Sequence, residues 1–121
     1  MKTLLIVEDE LSQQKALFLK LTAEGYRVLT AVSVNDAWVL IGHEHPDLVI
    51  LDIMLPGGEN GFDLLEKLKK DPQCAAIPVL VLTNLDTEEI VTKKIGAADY
   101  LVKANTSMEE LVRRVKAILP S

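Results

Sequence analysis

Short apolar runs alternate with amphipathic stretches along the whole chain, and the apolar runs end in polar residues. Leu4-Leu5-Ile6-Val7 ends in Glu8-Asp9-Glu10, and Leu48-Val49-Ile50-Leu51 ends in Asp52. Val79-Leu80-Val81-Leu82 ends in Thr83-Asn84, and Tyr100-Leu101-Val102 ends in Lys103. Apolar runs of four or so residues bounded by turn residues read as strands buried on both faces. A fifth strand, over about Arg27 to Ala31, is more mixed and reads as an edge.

The intervening stretches read as helices. The first runs from about Leu11 to Glu24, with Leu11, Leu17, Phe18 and Leu21 on its apolar face and Gln13, Gln14, Lys15 and Lys20 toward solvent. Gly25 ends it. The second covers about Val34 to Gly42, capped by Ser33. Val34, Ala37, Trp38 and Ile41 recur at i, i+3, i+4 and i+7, which makes Trp38 a packing residue, while Val39 and Leu40 lie off that stripe. The third covers about Phe62 to Lys70, with Phe62, Leu65 and Leu68 inward and Asp71-Pro72 as its stop. Asp86-Thr87-Glu88-Glu89 has the form of a cap with an acid three residues on, and predicts a fourth helix from there to about Ile95, ended by Gly96. Ser107-Met108-Glu109-Glu110 repeats the pattern for a last helix reaching about Leu119. The order βαβαβαβαβα implies a parallel sheet covered by helices on both faces. A chain of 121 residues with no long linker or repeat reads as one domain, 1–121.

Composition narrows the function classes. A net charge of -5 does not suit a domain that grips a nucleic-acid backbone, which needs clustered Lys and Arg. A single cysteine, Cys74, allows no internal disulfide and suits a reducing compartment. No apolar run approaches the ~20 residues of a membrane span, and Met1-Lys2-Thr3 leads into a strand without a signal-peptide pattern. The expectation is a cytoplasmic protein without membrane or nucleic-acid contacts. His43-Glu44-His45 sits at a helix end, where imidazolium suits the dipole, and nothing in the sequence completes a metal set there.

The strand ends carry the chemistry. Glu8, Asp9 and Asp52 would bring three carboxylates together, and such a cluster calls for positive charge. Lys103 supplies one, and Mg²⁺ with oxygen ligands fits the remainder. Asp52 can act as a nucleophile toward phosphorus, with Thr83 as a hydrogen-bond donor and Lys103 as a neutralising charge. No Gly-rich nucleotide cradle is present, so the phosphoryl group comes from another molecule.

In these residues the chain resembles the response-regulator receiver domains of two-component signalling, over essentially its whole length. The matching segments are Leu5 to Glu10, Pro46 to Pro56, Asn60 to Leu65, Ile77 to Thr83 and Gly96 to Lys103. The resemblance implies a flavodoxin-like fold, with a five-stranded parallel sheet in the order 2-1-3-4-5 sandwiched by five helices. It implies that Asp52 accepts a phosphoryl group from a sensor histidine kinase or a histidine phosphotransfer protein. Asp9 would then ligate Mg²⁺ directly, Glu8 through water, and Met54 through its backbone carbonyl, beside Asp52. Thr83 and Lys103 would contact the phosphoryl group, with Asn84 beside them. Thr83 and Tyr100 would form a coupled switch. The face made by the fourth helix, fifth strand and fifth helix would meet a downstream protein or a second copy. Met54 and Leu85 fall where the family tunes dephosphorylation, and their apolar character implies slow decay. The resemblance makes the chain a regulatory phosphoacceptor rather than an enzyme.

Three departures from the family pattern carry expectations. The loop at Gly57-Gly58-Glu59-Asn60 is one residue longer than usual and its glycines allow a mobile lip. Ala104 replaces the usual proline, which predicts a trans Lys103–Ala104 bond and a rerouted loop, and leaves the aim of Lys103 open. Asn84 replaces a very small residue. These departures motivate an alternative reading, a pseudo-receiver that acts as a phosphorylation-independent interaction module. An aspartate-based phosphatase is disfavoured because the general acid two residues after the nucleophile is replaced by Met54. A flavin site is disfavoured by the acids after the first strand.

Overall fold

A computed structural model describes residues 1–55 and 60–120. The elements, in chain order, are β1 (Thr3–Val7), α1 (Leu11–Ala23), β2 (Arg27–Ala31), α2 (Val34–Glu44), β3 (Leu48–Leu51), α3 (Gly61–Lys70), β4 (Val79–Thr83), α4 (Glu89–Ile95), β5 (Asp99–Val102) and α5 (Met108–Ile118). A 3₁₀ turn over Lys103–Asn105 joins β5 to α5. All strand pairings are parallel, and the order is β2-β1-β3-β4-β5. This is the doubly wound, flavodoxin-like arrangement that the family resemblance implies.

Strand alternation divides the interior into two cores. Leu5, Val7, Val49, Leu51, Val79 and Val81 point to one face, against Ala37 and Ile41 of α2 and Leu64, Leu65 and Leu68 of α3. Leu4, Ile6, Leu48, Ile50, Leu80 and Leu82 point to the other, against Leu17 and Leu21 of α1 and Leu111, Val112 and Val115 of α5. Each fully buried aliphatic side chain is worth ~1.5–3 kcal/mol relative to exposure, so the central strands dominate the stability. The chain leaves β1 for β2 on one side and pairs β1 with β3 on the other. That reversal opens a crevice at the carboxyl ends of β1 and β3, where open α/β sheets place ligands.

Several local expectations change. Leu11 is 67 % exposed and Phe18 38 % exposed, whereas Gln13 and Gln14 are half-buried. Gln13 and Gln14 precede Leu17 by four and three residues, so they share its inward stripe. That end of the stripe faces the polar crevice instead of the apolar core. Helix α2 passes through Gly42 and ends at His45, whose left-handed φ of 46° caps it. Leu64 joins Leu65 and Leu68 in the core, and Phe62 is only half-buried. Helix α4 begins at Glu89, two residues later than a cap at Asp86 predicts, and has no side-chain cap. The caps at Ser33 and Ser107 form as expected, bonding to Asp36 N and Glu110 N. Trp38 packs against the first core, with the Lys67 ammonium 5.7 Å from its ring centre.

Gly61 opens α3 where the backbone presses on the strand end carrying Asp52. A Cβ there would collide with Ile53 Cα and lie 2.7 Å from the Asp52 carbonyl oxygen. Asn60 and Asp63 fix this corner by a reciprocal capping box. Gly61→Ala is expected to cost on the order of 1–3 kcal/mol, because backbone has to give way. Gly42→Ala, in open space within α2, is expected to gain roughly 0.5–1 kcal/mol. Urea unfolding of the two variants checks both signs. Equal effects would remove the special status of the Gly61 contact.

Candidate functional site

Four strand ends converge on the crevice. Parallel pairing sets Val7 beside Leu51, so the next residues, Glu8 and Asp52, leave neighbouring strands side by side. The Asp52 amide donates to the Val7 carbonyl at 3.0 Å, and the Glu8 amide to the Ala31 carbonyl at 3.0 Å. These bonds extend the sheet one residue past its formal end and hold both carboxylates against it.

Both acids are buried, with Glu8 3 % and Asp52 6 % exposed. Lys103 reaches across from the end of β5. Its Nζ donates to Asp52 Oδ2 at 2.7 Å, to Glu8 Oε1, and to Gln13 Oε1 at 2.7 Å. The second Asp52 oxygen accepts from the Met54 amide at 2.9 Å, and the second Glu8 oxygen from the Glu10 amide at 3.1 Å. Burial disfavours the Lys103 ammonium, but hydrogen bonds and Coulomb attraction from Asp52 and Glu8 outweigh it and raise its pKa above the ordinary lysine value. The lysine therefore stays charged across neutral pH.

Glu8, Asp9 and Asp52 each offer an oxygen within 4.8 Å of the others. Asp9 is exposed, while its two companions are buried. A compact all-oxygen set with one face open to solvent fits a hard divalent cation. These three carboxylates could hold such an ion. Glu10, third in the acidic run, turns away to cap α1 through Ser12.

The remaining predicted positions lie around this centre. Thr83 is buried at the end of β4, and the Leu85 amide leans on its Oγ1 at 3.5 Å, a long contact. The Leu85 carbonyl accepts from the Tyr100 hydroxyl, so one residue's peptide groups touch both members of the expected switch pair. Tyr100 is buried on the first core side, and burial pushes its phenol pKa up. Met54 is 53 % exposed and Asn84 is exposed. The Lys103–Ala104 bond is trans, as predicted for alanine. The chain then makes a 3₁₀ turn, tied down by Thr106 Oγ1 donating to the Val102 carbonyl at 2.7 Å. Lys103 nevertheless aims at Asp52. Gly57, Gly58 and Glu59 of the expected lip lie outside the described residues. His43 and His45 join no metal-competent group among the described residues.

The sequence reading misses Gln13 and Gln14. The Gln14 amide donates to the Glu8 carbonyl at 2.9 Å and the Ala31 carbonyl at 3.3 Å, stitching α1 to β1 and β2. The available signal was their i−4 and i−3 spacing from the buried Leu17.

Residues 4–116 match the family model described as the response regulator receiver domain. The chain is 38% identical over 121 residues to the transcriptional regulatory protein AfsQ1 of Streptomyces coelicolor, covering 98% of this chain and 52% of that protein. It is 37% identical over 121 residues to the protein PilH of Pseudomonas aeruginosa, covering 98% of each. The crystal structure of the BeF3-activated N-terminal receiver domain of Klebsiella pneumoniae RstA superposes with a TM-score of 0.88 at 31% identity, covering 99% of this chain and 100% of that one. The chain thus spans about half of AfsQ1 and nearly all of PilH. No helix among the described residues is long and apolar enough to cross a membrane.

Lys103→Met would leave Glu8 and Asp52 buried together without their counter-charge. Breaking a buried pair costs ~3–5 kcal/mol; with the Lys103 side chain 15 % exposed, a loss on the order of 1–3 kcal/mol is expected. Because the folded pKa of Lys103 is raised, the lysine's contribution is complete below its unfolded value of about 10.4 and fades as pH rises through the folded value. Urea unfolding of wild type and variant from pH 7 to 11 tests this. An unchanged midpoint at pH 7 would mean that the ammonium contributes nothing.

Proposed function

Because the chain belongs to the response regulator receiver domain family, we propose that it is a phosphorylation-dependent switch whose acceptor is Asp52. The reading rests above all on one observation: a buried aspartate at a strand end, with an ammonium on one oxygen and two further carboxylates beside it. In the proposed reaction an Asp52 oxygen attacks the phosphorus of a phosphohistidine on a sensor kinase or phosphotransfer protein. A P–O bond forms and the P–N bond breaks, with the electron pair leaving on the imidazole nitrogen. Lys103 transfers its hydrogen bond from Asp52 Oδ2 to a phosphoryl oxygen and remains protonated. Glu8, Asp9, Asp52 and the Met54 carbonyl would hold Mg²⁺, which when bound neutralises charge on the phosphoryl oxygens. Asn84 stands at the rim, able to bond to the group or to crowd it.

The output would be a population shift. Thr83 turns toward the phosphoryl group, the Leu85 peptide moves with it, and the Tyr100 hydroxyl loses or changes its carbonyl partner. That alters the surface of α4, β5 and α5. Ile90 and Val91 give α4 exposed apolar side chains, which suits a downstream protein or a second copy at this face. Met54 and Leu85 offer no hydrogen bond from their side chains to a hydrolytic water. We therefore expect slow loss of the phosphoryl group, and a half-life of only seconds for the isolated protein would contradict this.

Intact mass after incubation with Mg²⁺ and acetyl phosphate tests the assignment. Wild type is expected to gain one phosphoryl group and Asp52→Asn none. No adduct on either protein, with Mg²⁺ binding shown separately, would favour the phosphorylation-independent interaction module.

A further inference from the structure

An ammonium has three N–H donors and no acceptor. In Lys103 the partners are Glu8 Oε1, Asp52 Oδ2 and Gln13 Oε1. The proposed reaction changes two of them. Asp52 takes the phosphoryl group, and Glu8 belongs to the metal-competent cluster. Gln13 is neutral and takes part in neither change.

The surroundings give this contact a purpose. On the other side of Lys103 lies a cavity of about 330 Å³ between α1 and the start of α5, floored by Leu17, Leu82, Met108 and Leu111. Gln13 and Lys103 both line it. A four-carbon lysine stem released from the acids has room to swing into that space. Gln13 stands on the first turn of α1, and its neighbour Gln14 anchors that turn to the ends of β1 and β2. Gln13 therefore reaches Lys103 from an anchored turn, and its side-chain carbonyl accepts from the ammonium at 2.7 Å.

We propose that Gln13 is a positioning residue for phosphoryl acceptance: its side-chain carbonyl holds the Lys103 ammonium over Asp52 while the lysine's other partners change. This role rests on the phosphoacceptor reading of Asp52. It works by preorganisation, since an anchored ammonium loses less freedom on meeting the phosphoryl oxygens.

The test reads the Lys103 ammonium directly, in ¹H–¹⁵N spectra, with the signal assigned by its absence in Lys103→Met. Wild type is expected to show a signal protected from solvent exchange. Gln13→Met keeps the length and removes the oxygen; exchange is expected to accelerate severalfold. Phosphoryl uptake from acetyl phosphate with Mg²⁺ is expected to slow by about threefold to tenfold, the equivalent of one hydrogen bond. Gln13→Glu restores an oxygen at the same reach and is expected to restore protection. In the Lys103→Met background, Gln13→Met is expected to change uptake no further. Unchanged exchange in Gln13→Met, equal exposure in Gln13→Glu, or the same loss of uptake in both backgrounds would overturn the proposal. Exchange does not depend on phosphoryl transfer. A wild type that takes up no phosphoryl group would therefore defeat the functional reading while the spectra still judge the Gln13 contact.

Discussion

The Lys103 ammonium is the constraint on which the crevice depends. It bonds to Asp52 and Glu8, two carboxylates that parallel pairing forces out of water side by side. Without positive charge between them, their repulsion would work against the sheet that aligns them. The lysine comes from the far side of the sheet, so closing the site also fixes the end of β5 relative to β1 and β3. The closure of the sheet edge and the charge balance of the crevice are thus coupled through one side chain.

That coupling explains the division of labour in the fold. The buried faces of β1, β3 and β4 set strand positions firmly, and polar groups appear only where the strands run out. Gly61 then brings α3 in against the Asp52–Ile53 peptide, at a distance no side chain would allow. On the opposite flank, the Leu85 backbone touches Thr83 and Tyr100 at once. Leu85 thus links the end of β4 to the Tyr100 side chain of β5.

Much of this was legible in the sequence because two periodicities are strong. Continuous runs such as Leu48 to Leu51 admit little besides a doubly buried strand, and Val34, Ala37 and Ile41 fix the inward face of α2. Less was legible where polarity and burial part company. Gln13 and Gln14 look like solvent residues by type, yet the helix face they share with Leu17 ends at a charged crevice. Leu11 and Phe18 look like core by type and lie off that face. The Asp86 pattern has the spacing of a cap, but the chain from Thr83 to Glu88 is occupied by the turn that carries the Leu85 contacts, so α4 starts later. Acids, hydroxyl and lysine at successive strand ends made the membership of the crevice readable. Its internal wiring, with Lys103 shared among Glu8, Asp52 and Gln13, depends on side-chain reach that spacing does not encode.

We propose Asp52 as a phosphoryl acceptor whose lysine partner is handed from carboxylate to phosphoryl oxygen. A crystal structure with Mg²⁺ and beryllofluoride, a tetrahedral phosphoryl mimic, tests it most directly. The mimic is expected on an Asp52 oxygen, the metal among Glu8, Asp9 and Asp52, and Lys103 Nζ on a fluoride. A structure in which Asp52 stays unmodified under saturating mimic and metal, with Lys103 still on Asp52 Oδ2, would contradict it.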